Sequence, residues 1–134
     1  KFYGWINANE LDEANIFAPI ATIAAFTKGE EWRKSMLSYI EDNVRFVEEY
    51  CQKNIPQIHP LRPQASFLVW LNCRELNLDH HDLLDLFIDK AHLALNDGEM
   101  FGQGGEGFMR MNIATPRSVI KQALDQLATA VNNL

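Results

Sequence analysis

The chain has 134 residues, of which 47% are apolar and 22% charged, with a formal net charge of −6. That length supports one core of ordinary size, and the apolar share, with aromatics spread along the chain, excludes a disordered segment. Lys and Arg form no basic block, which argues against a nucleic-acid surface, and no apolar run is long enough to span a bilayer.

Residues 1–14 mix aromatic and polar side chains without a clear period and read as an irregular or linking segment. They begin at Lys1 rather than at a methionine, so the expectation is a piece of a larger protein. No charged stretch followed by an apolar one marks a secretory leader. A short helix is predicted from Asn15 to Phe26, with Pro19 in its first turn, where a missing N–H is harmless. Its Ala18, Ala21, Ala24 and Ala25 suit close packing. Thr27-Lys-Gly-Glu30 has the spacing of a capping box and opens a long helix to about Lys53. Trp32, Met36, Ile40, Val44, Val47 and Cys51 recur at helical spacing and form its expected buried stripe. Glu30/Lys34, Glu41/Arg45 and Arg45/Glu49 are expected to pair along its solvated side.

Pro56, Pro60 and Pro63 then interrupt the chain, with room for a short strand near His59. Phe67-Leu-Val-Trp-Leu71 is apolar throughout and reads as a strand covered on both faces. Asp79 and Asp82 are expected to cap a helix whose Leu83, Leu84, Phe87, Ile88 and Ala91 face inward. A short strand fits at Leu93–Leu95, followed by a loop from Asn96 to Gly107. Loops of that length inside a compact domain often carry function. Along Phe108–Ile113, strand alternation sets Met109, Met111 and Ile113 on a core face and Phe108, Arg110 and Asn112 on the other. Thr115 as N-cap and Pro116 as first helical residue start the last helix, with Val119, Ile120, Ala123, Leu124, Leu127 and Val131 inward. This order predicts an α/β sandwich: a small sheet of about three strands packed against helices, one of them long.

Gly102-x-Gly-x-x-Gly107 matches a dinucleotide-binding pattern, but a strand follows it where that pattern requires a helix. It reads instead as a mobile turn in which Gly102, Gly104 and Gly105 let backbone approach a ligand or a neighbouring domain. His80 and His81 lie beside Asp82 and Asp85; without a further clustered ligand or an HExxH pattern they read as a solvated helix start, and no metal site is assigned. His59 and His92 stand alone. Cys51 and Cys73 show neither CxxC spacing nor a nucleophile's surroundings, and read as free thiols of a reduced, cytoplasmic protein. A guanidinium in mid-strand loses hydration and needs a partner. Arg110 is therefore either a structural ion-pair partner or a fork for an anionic ligand, and the residues by themselves leave both open. Arg117 falls in the first turn of a helix, where a cation is mildly disfavoured; it caps another element or lines an interface.

Phe108-Met-Arg-Met-Asn-Ile-Ala-Thr-Pro-Arg117 resembles the closing motif of fold-type I, pyridoxal-phosphate (PLP)-dependent aminotransferases, nearest to the cystathionine β-lyase, or carbon–sulfur β-lyase, branch. The resemblance runs from Asn15 to Leu134 and includes Asn15-Ile-Phe-Ala-Pro-Ile-Ala, Gly29-Glu-Glu-Trp, Ala65-Ser-Phe-Leu-Val-Trp-Leu71, Ala94-Leu-Asn-Asp-Gly98 and Gly105-Glu-Gly. It implies that 15–134 is a C-terminal small domain, with 1–14 linking it to a missing N-terminal PLP-binding large domain. By the same likeness Arg110 grips the substrate α-carboxylate and orients the Cα–H for abstraction, while the loop with Gly102, Gly104 and Gly105 borders the site and helps to close it. The family's cofactor-anchoring lysine lies upstream of this region, and Lys1 does not have its setting. The piece alone is therefore expected to hold no cofactor and catalyse nothing. The implied parent is a homodimeric enzyme acting on small amino acids, most simply by α,β-elimination of a sulfur-containing one, with transamination as the alternative. A non-catalytic ligand-binding or interaction module is a further alternative.

Overall fold

The computed structural model describes residues 1–9 and 15–134, which divide into two compact units, Lys1–Leu37 and Ser38–Leu134. Residues 10–14, part of the expected linking segment, lie outside the described residues.

In the first unit, α1 (Phe2–Ala8) replaces the irregular stretch expected there. Seven residues are too few to display a helical period, so the pattern gave no warning. The helix α2 (Phe17–Lys28) opens where the Asn15 carboxamide oxygen accepts the Phe17 N–H at 2.9 Å. It ends at Gly29, whose N–H reaches the Ala25 carbonyl. A Cβ on Gly29 would lie 2.5 Å from that carbonyl oxygen, so only glycine fits. The expected capping box does not form. Thr27 is still helical and its hydroxyl donates back to the Ile23 carbonyl at 2.7 Å, the usual alternative for a threonine inside a helix. The long helix α3 (Glu30–Asn54) starts directly after Gly29, with Glu30 pairing to Arg33 at 2.8 Å and to Lys34 at 3.6 Å. Phe17, Ile20, Ile23 and Phe26 are all exposed and α2 buries no residue; Trp32, expected in the stripe of α3, is 71% exposed.

The second unit holds an antiparallel sheet of order β1-β2-β4-β3, formed by β1 (His59–Leu61), β2 (Leu68–Asn72), β3 (Asn96–Asp97) and β4 (Phe108–Asn112). The fourth strand is β3, two residues inside the segment read as loop and just past the expected Leu93–Leu95. Val69, Leu71, Met109 and Met111 alternate onto one face, where they join Val44, Val47 and Cys51 of α3 and Ile120, Leu124 and Leu127 of α5 (Arg117–Val131) in one buried cluster. Val44, Val47 and Cys51 thus carry the predicted stripe of α3, with Met36 and Ile40 half-buried. Leu68 and Trp70 point the other way and are only half-buried, so β2 is covered on one face rather than two. A run of apolar residues cannot tell these cases apart when the open face is itself aromatic.

The helix α4 (His80–Asp85) is capped as expected by Asp79, whose carboxylate accepts the Asp82 N–H at 2.8 Å; Asp82 itself does not cap. It continues into a π-turn over Leu86–Lys90. The extra residue in that turn rotates the face, so Leu86 is buried and Ile88, expected inward, is 51% exposed. At the start of α5, Pro116 takes the cap position without a side-chain bond, and Thr115 does not cap. The Tyr39 hydroxyl of α3 accepts the Arg117 N–H at 2.8 Å instead. Ile120, Leu124, Leu127 and Val131 set the inward stripe of α5, which leaves Val119 exposed and turns Ala128 and Ala130 inward. Of the charge pairs expected on α3, Glu41 is taken by Arg62, which also binds Glu48 at 2.6 Å, and Arg45 turns to Asp42 at 3.3 Å.

Asn43 ties these layers together. Fully buried on α3, it donates to the carbonyls of Ile113 and Thr115 at 2.9 and 3.2 Å and accepts from Arg117 Nε at 2.7 Å. It thereby joins α3 to the end of β4 and the start of α5. Asn43→Ala leaves those carbonyls and a guanidinium N–H without partners, and we expect a loss of about 2–4 kcal/mol, read from a urea midpoint at unchanged slope.

Candidate functional site

The Met109/Met111 face is committed to the core, so the alternating residue Arg110 must rise on the opposite face. Antiparallel register sets it directly across from Trp70 on one side and from Asn96 on the other. Arg110 Nη2 donates to the Asn96 side-chain oxygen at 3.0 Å, and Cζ stands 4.2 Å from the centre of the Phe101 ring. The Phe101 ring meets Trp70 edge-on, with centroids 5.3 Å apart. Arg110 Nε is buried and has no hydrogen-bond partner. Among the described residues no carboxylate pairs with this guanidinium. A structural ion pair therefore does not account for Arg110 there, and a buried, charge-bearing N–H is left without a partner.

Beside it, the glycine segment walls a cavity of about 310 Å³. Gly102, Gln103, Gly104 and Gly105 form one wall, with Leu61, Trp70, Phe101 and Phe108 forming the rest. The segment is less free than its composition suggested. Gly98 and Gly105 cross in backbone contact, since a Cβ on Gly105 would lie 2.0 Å from the Gly98 carbonyl oxygen. Arg74 donates from Nε to the Glu106 carbonyl at 3.0 Å and from Nη2 to the Gly104 carbonyl at 3.3 Å, and it stacks over Phe108 at 4.6 Å. Glu106 closes the turn by accepting the Gly104 N–H at 2.9 Å. Sequence reading missed Arg74 altogether: its partners lie about thirty residues away and no local motif announces them. Glycine remains necessary at Gly102 and Gly104, where φ is +99° and +95°.

Several other polar groups singled out in the sequence have structural partners. His80 lies between Asp97 and Glu99, at 3.4 and 3.1 Å, and so ties α4 to the segment that carries Asn96 and Phe101. His81, Asp82 and Asp85 do bring a third ligand-type group together, their atoms within 4.8 Å of one another, but on an exposed helix start. His59 does not stand alone: it meets Glu75 at 2.9 Å. Arg117 packs over Phe46 at 4.9 Å while bound to Asn43, so it braces the domain internally. Cys51 and Cys73 are free and buried, and burial pushes both thiols up to about 12. Among the described residues, no helix is long and apolar enough to cross a membrane.

No family model matches the chain. Among curated proteins it is 31% identical over 132 residues to cystathionine β-lyase PatB of Bacillus subtilis (strain 168), covering 98% of this chain and 34% of that protein. Among solved structures, a PLP-bound protein of Clostridium difficile 630 superposes with a TM-score of 0.91 at 33% identity, over 96% of this chain and 33% of the other. The PLP-bound C–S lyase of Staphylococcus hominis gives 0.81 at 28% identity, over 94% and 34%. The fold is thus that of the C-terminal small domain of fold-type I, PLP-dependent enzymes. The chain's homologues are cystathionine β-lyases, C–S lyases and aminotransferases, and it spans about a third of the length of the curated relatives it matches.

The buried thiols carry a pH signature. Unfolded thiols ionise near pH 9 and the native ones near 12, so above pH 9 the native state holds more protons than the unfolded one. Stability then falls as pH rises between those values. We expect native Cys51 and Cys73 to resist Ellman's reagent at pH 8 while urea-unfolded chain reacts at once. The double variant C51A/C73A should show a flatter alkaline decline in urea midpoint.

Proposed function

We propose that the chain is the substrate-gripping small domain of a PLP-dependent enzyme acting on amino acids, most simply a carbon–sulfur β-lyase of the cystathionine β-lyase kind. The observation that carries this is the buried, unpartnered Nε of Arg110 beside an Nη2 already oriented by a neutral amide. A guanidinium held so, without a neutralising carboxylate, fits a bidentate grip on an α-carboxylate. The groups present here fit the amino acid rather than PLP, whose anchoring lysine the resemblance places upstream. When bound in the whole enzyme, PLP supplies the electron sink that makes the substrate's Cα–H acidic.

The residues of this chain do the rest. Arg110 fixes the carboxylate and with it the direction of the Cα–H bond, converting a free encounter into an aligned one. The wall of Gly102, Gly104 and Gly105 with Trp70 and Phe108 borders the same face and helps to exclude water from it once the large domain covers it. Transamination is the alternative, since the same carboxylate grip serves both reactions and aminotransferases stand among the homologues.

The domain is taken as residues 15–134, with 1–14 leading into it. The missing partner is a cofactor-binding large domain. The exposed apolar residues all round α2 support it, because a helix apolar on every side is built to be covered. Two free, buried thiols support a cytoplasmic setting, and a homodimeric parent is the expectation for the fold.

In the full-length enzyme with PLP and L-cystathionine, pyruvate formation without an added keto acid establishes the lyase. Conversion only with a keto acid makes it an aminotransferase. Arg110→Ala should raise KM for the amino acid on the order of tenfold to a hundredfold, the worth of a charge-assisted bidentate contact. An unchanged KM removes Arg110 from its role.

A further inference from the structure

Among the described residues, every partner that orients the Arg110 guanidinium is electrically neutral. Asn96 supplies an amide oxygen at 3.0 Å, and Phe101 supplies a ring face at 4.2 Å. Carboxylates are close at hand along the same short segment, in Asp97 and Glu99, yet both turn away from Arg110 to His80. A carboxylate at position 96 would form an internal ion pair, and any incoming anion would have to displace it. An amide of the same shape aims the fork and leaves its charge unspent. The ring of Phe101 acts likewise: its face attracts the cation without accepting a hydrogen bond in the guanidinium plane.

We propose that Asn96 and Phe101 are positioning residues that orient Arg110 for a ligand carboxylate while keeping it un-neutralised. This rests on the reading of Arg110 as the carboxylate fork. The backbone makes the pair a unit. Asn96 is held opposite Arg110 by the β3–β4 register, and Gly98 N–H bonds the Phe108 carbonyl. The Gly98/Gly105 crossing then turns the chain so that Phe101 returns over the same guanidinium. His80, bridging Asp97 and Glu99, ties this turn to α4 and keeps those two acids off the fork.

The test compares KM and kcat for L-cystathionine in the full-length holoenzyme. Asn96→Asp is nearly isosteric and converts the neutral contact into an ion pair. It should raise KM on the order of tenfold or more, because the substrate must displace a charge-assisted bond, while kcat falls much less. Phe101→Leu keeps apolar bulk but loses the ring face, and should raise KM several-fold; Phe101→Tyr should restore it, a rescue that serves if the Asn96 variant does not fold. If Arg110→Lys raises KM but Asn96→Asp and Phe101→Leu leave it at the wild-type value, the positioning role is overturned and the fork reading stands. If Arg110→Lys also leaves KM unchanged, the fork reading fails and this inference fails with it. A fall in kcat alone in Asn96→Asp marks a structural role and equally overturns the proposal.

Discussion

The antiparallel pairing of β2 with β4 is the constraint on which the rest depends. Strand side chains alternate with a period of two, so one decision settles every residue of β4. Once Met109 and Met111 are driven into the cluster with Val47 and Leu71, Arg110 has no choice but the open face. A slip of one residue would bury the Arg110 guanidinium against Val47 and Leu71 and turn Met109 and Met111 out of the core, a penalty of several kcal/mol that fixes the register. The hydrophobic effect therefore aims a charged group to which it contributes nothing directly.

That placement would count for little without rigid surroundings, because an arginine side chain has many rotamers and loses entropy when it is held. The fold supplies the rigidity through backbone rather than through opposite charge. Gly98 and Gly105 touch where any Cβ would collide, and Arg74 fastens two carbonyls of the neighbouring turn. On the far side of the core, Asn43 binds the end of β4 to the start of α5, so the strand carrying Arg110 is clamped at its exit as well. Neutral and backbone contacts do the holding, and the formal charge stays available.

Sequence legibility followed the strength of periodic signals. The long helix, the alternation of β4 and the inward stripe of α5 all rest on several residues repeating one period, and they were readable; so was the Asp79 cap, a residue type suited to a helix start just before an apolar run. Failures occurred where two local solutions compete. Thr27 satisfied capping-box spacing but bonded backward along α2, a choice decided by how far that helix extends. The π-turn at Leu86 moved the apolar face by a single residue, which no pattern of apolar residues encodes. β3 is two residues long and carries no period at all. Arg110 could be singled out from its placement in mid-strand, but its neutral partners could not, because Asn96 and Phe101 reach it only through the fold of the intervening turn.

The two units present contrasting surfaces, and the contrast bears on what the chain is for. In Ser38–Leu134 the apolar residues are gathered into one buried cluster, and the open face of the sheet carries aromatics against which Arg110 and Arg74 stack. In Lys1–Leu37 the apolar residues of α2 are exposed, at a density that a free-standing surface rarely tolerates. A sequence maintained for a self-sufficient binding module would have exchanged such residues for polar ones at little structural loss, because α2 buries none of them here. Their presence is the mark of a surface meant to be covered. On the chemical side, Arg110 is oriented by Asn96 and Phe101, and no carboxylate among the described residues neutralises it. Both features, one apolar and one electrostatic, are the physical ground on which the reading as a small domain of a larger enzyme rests.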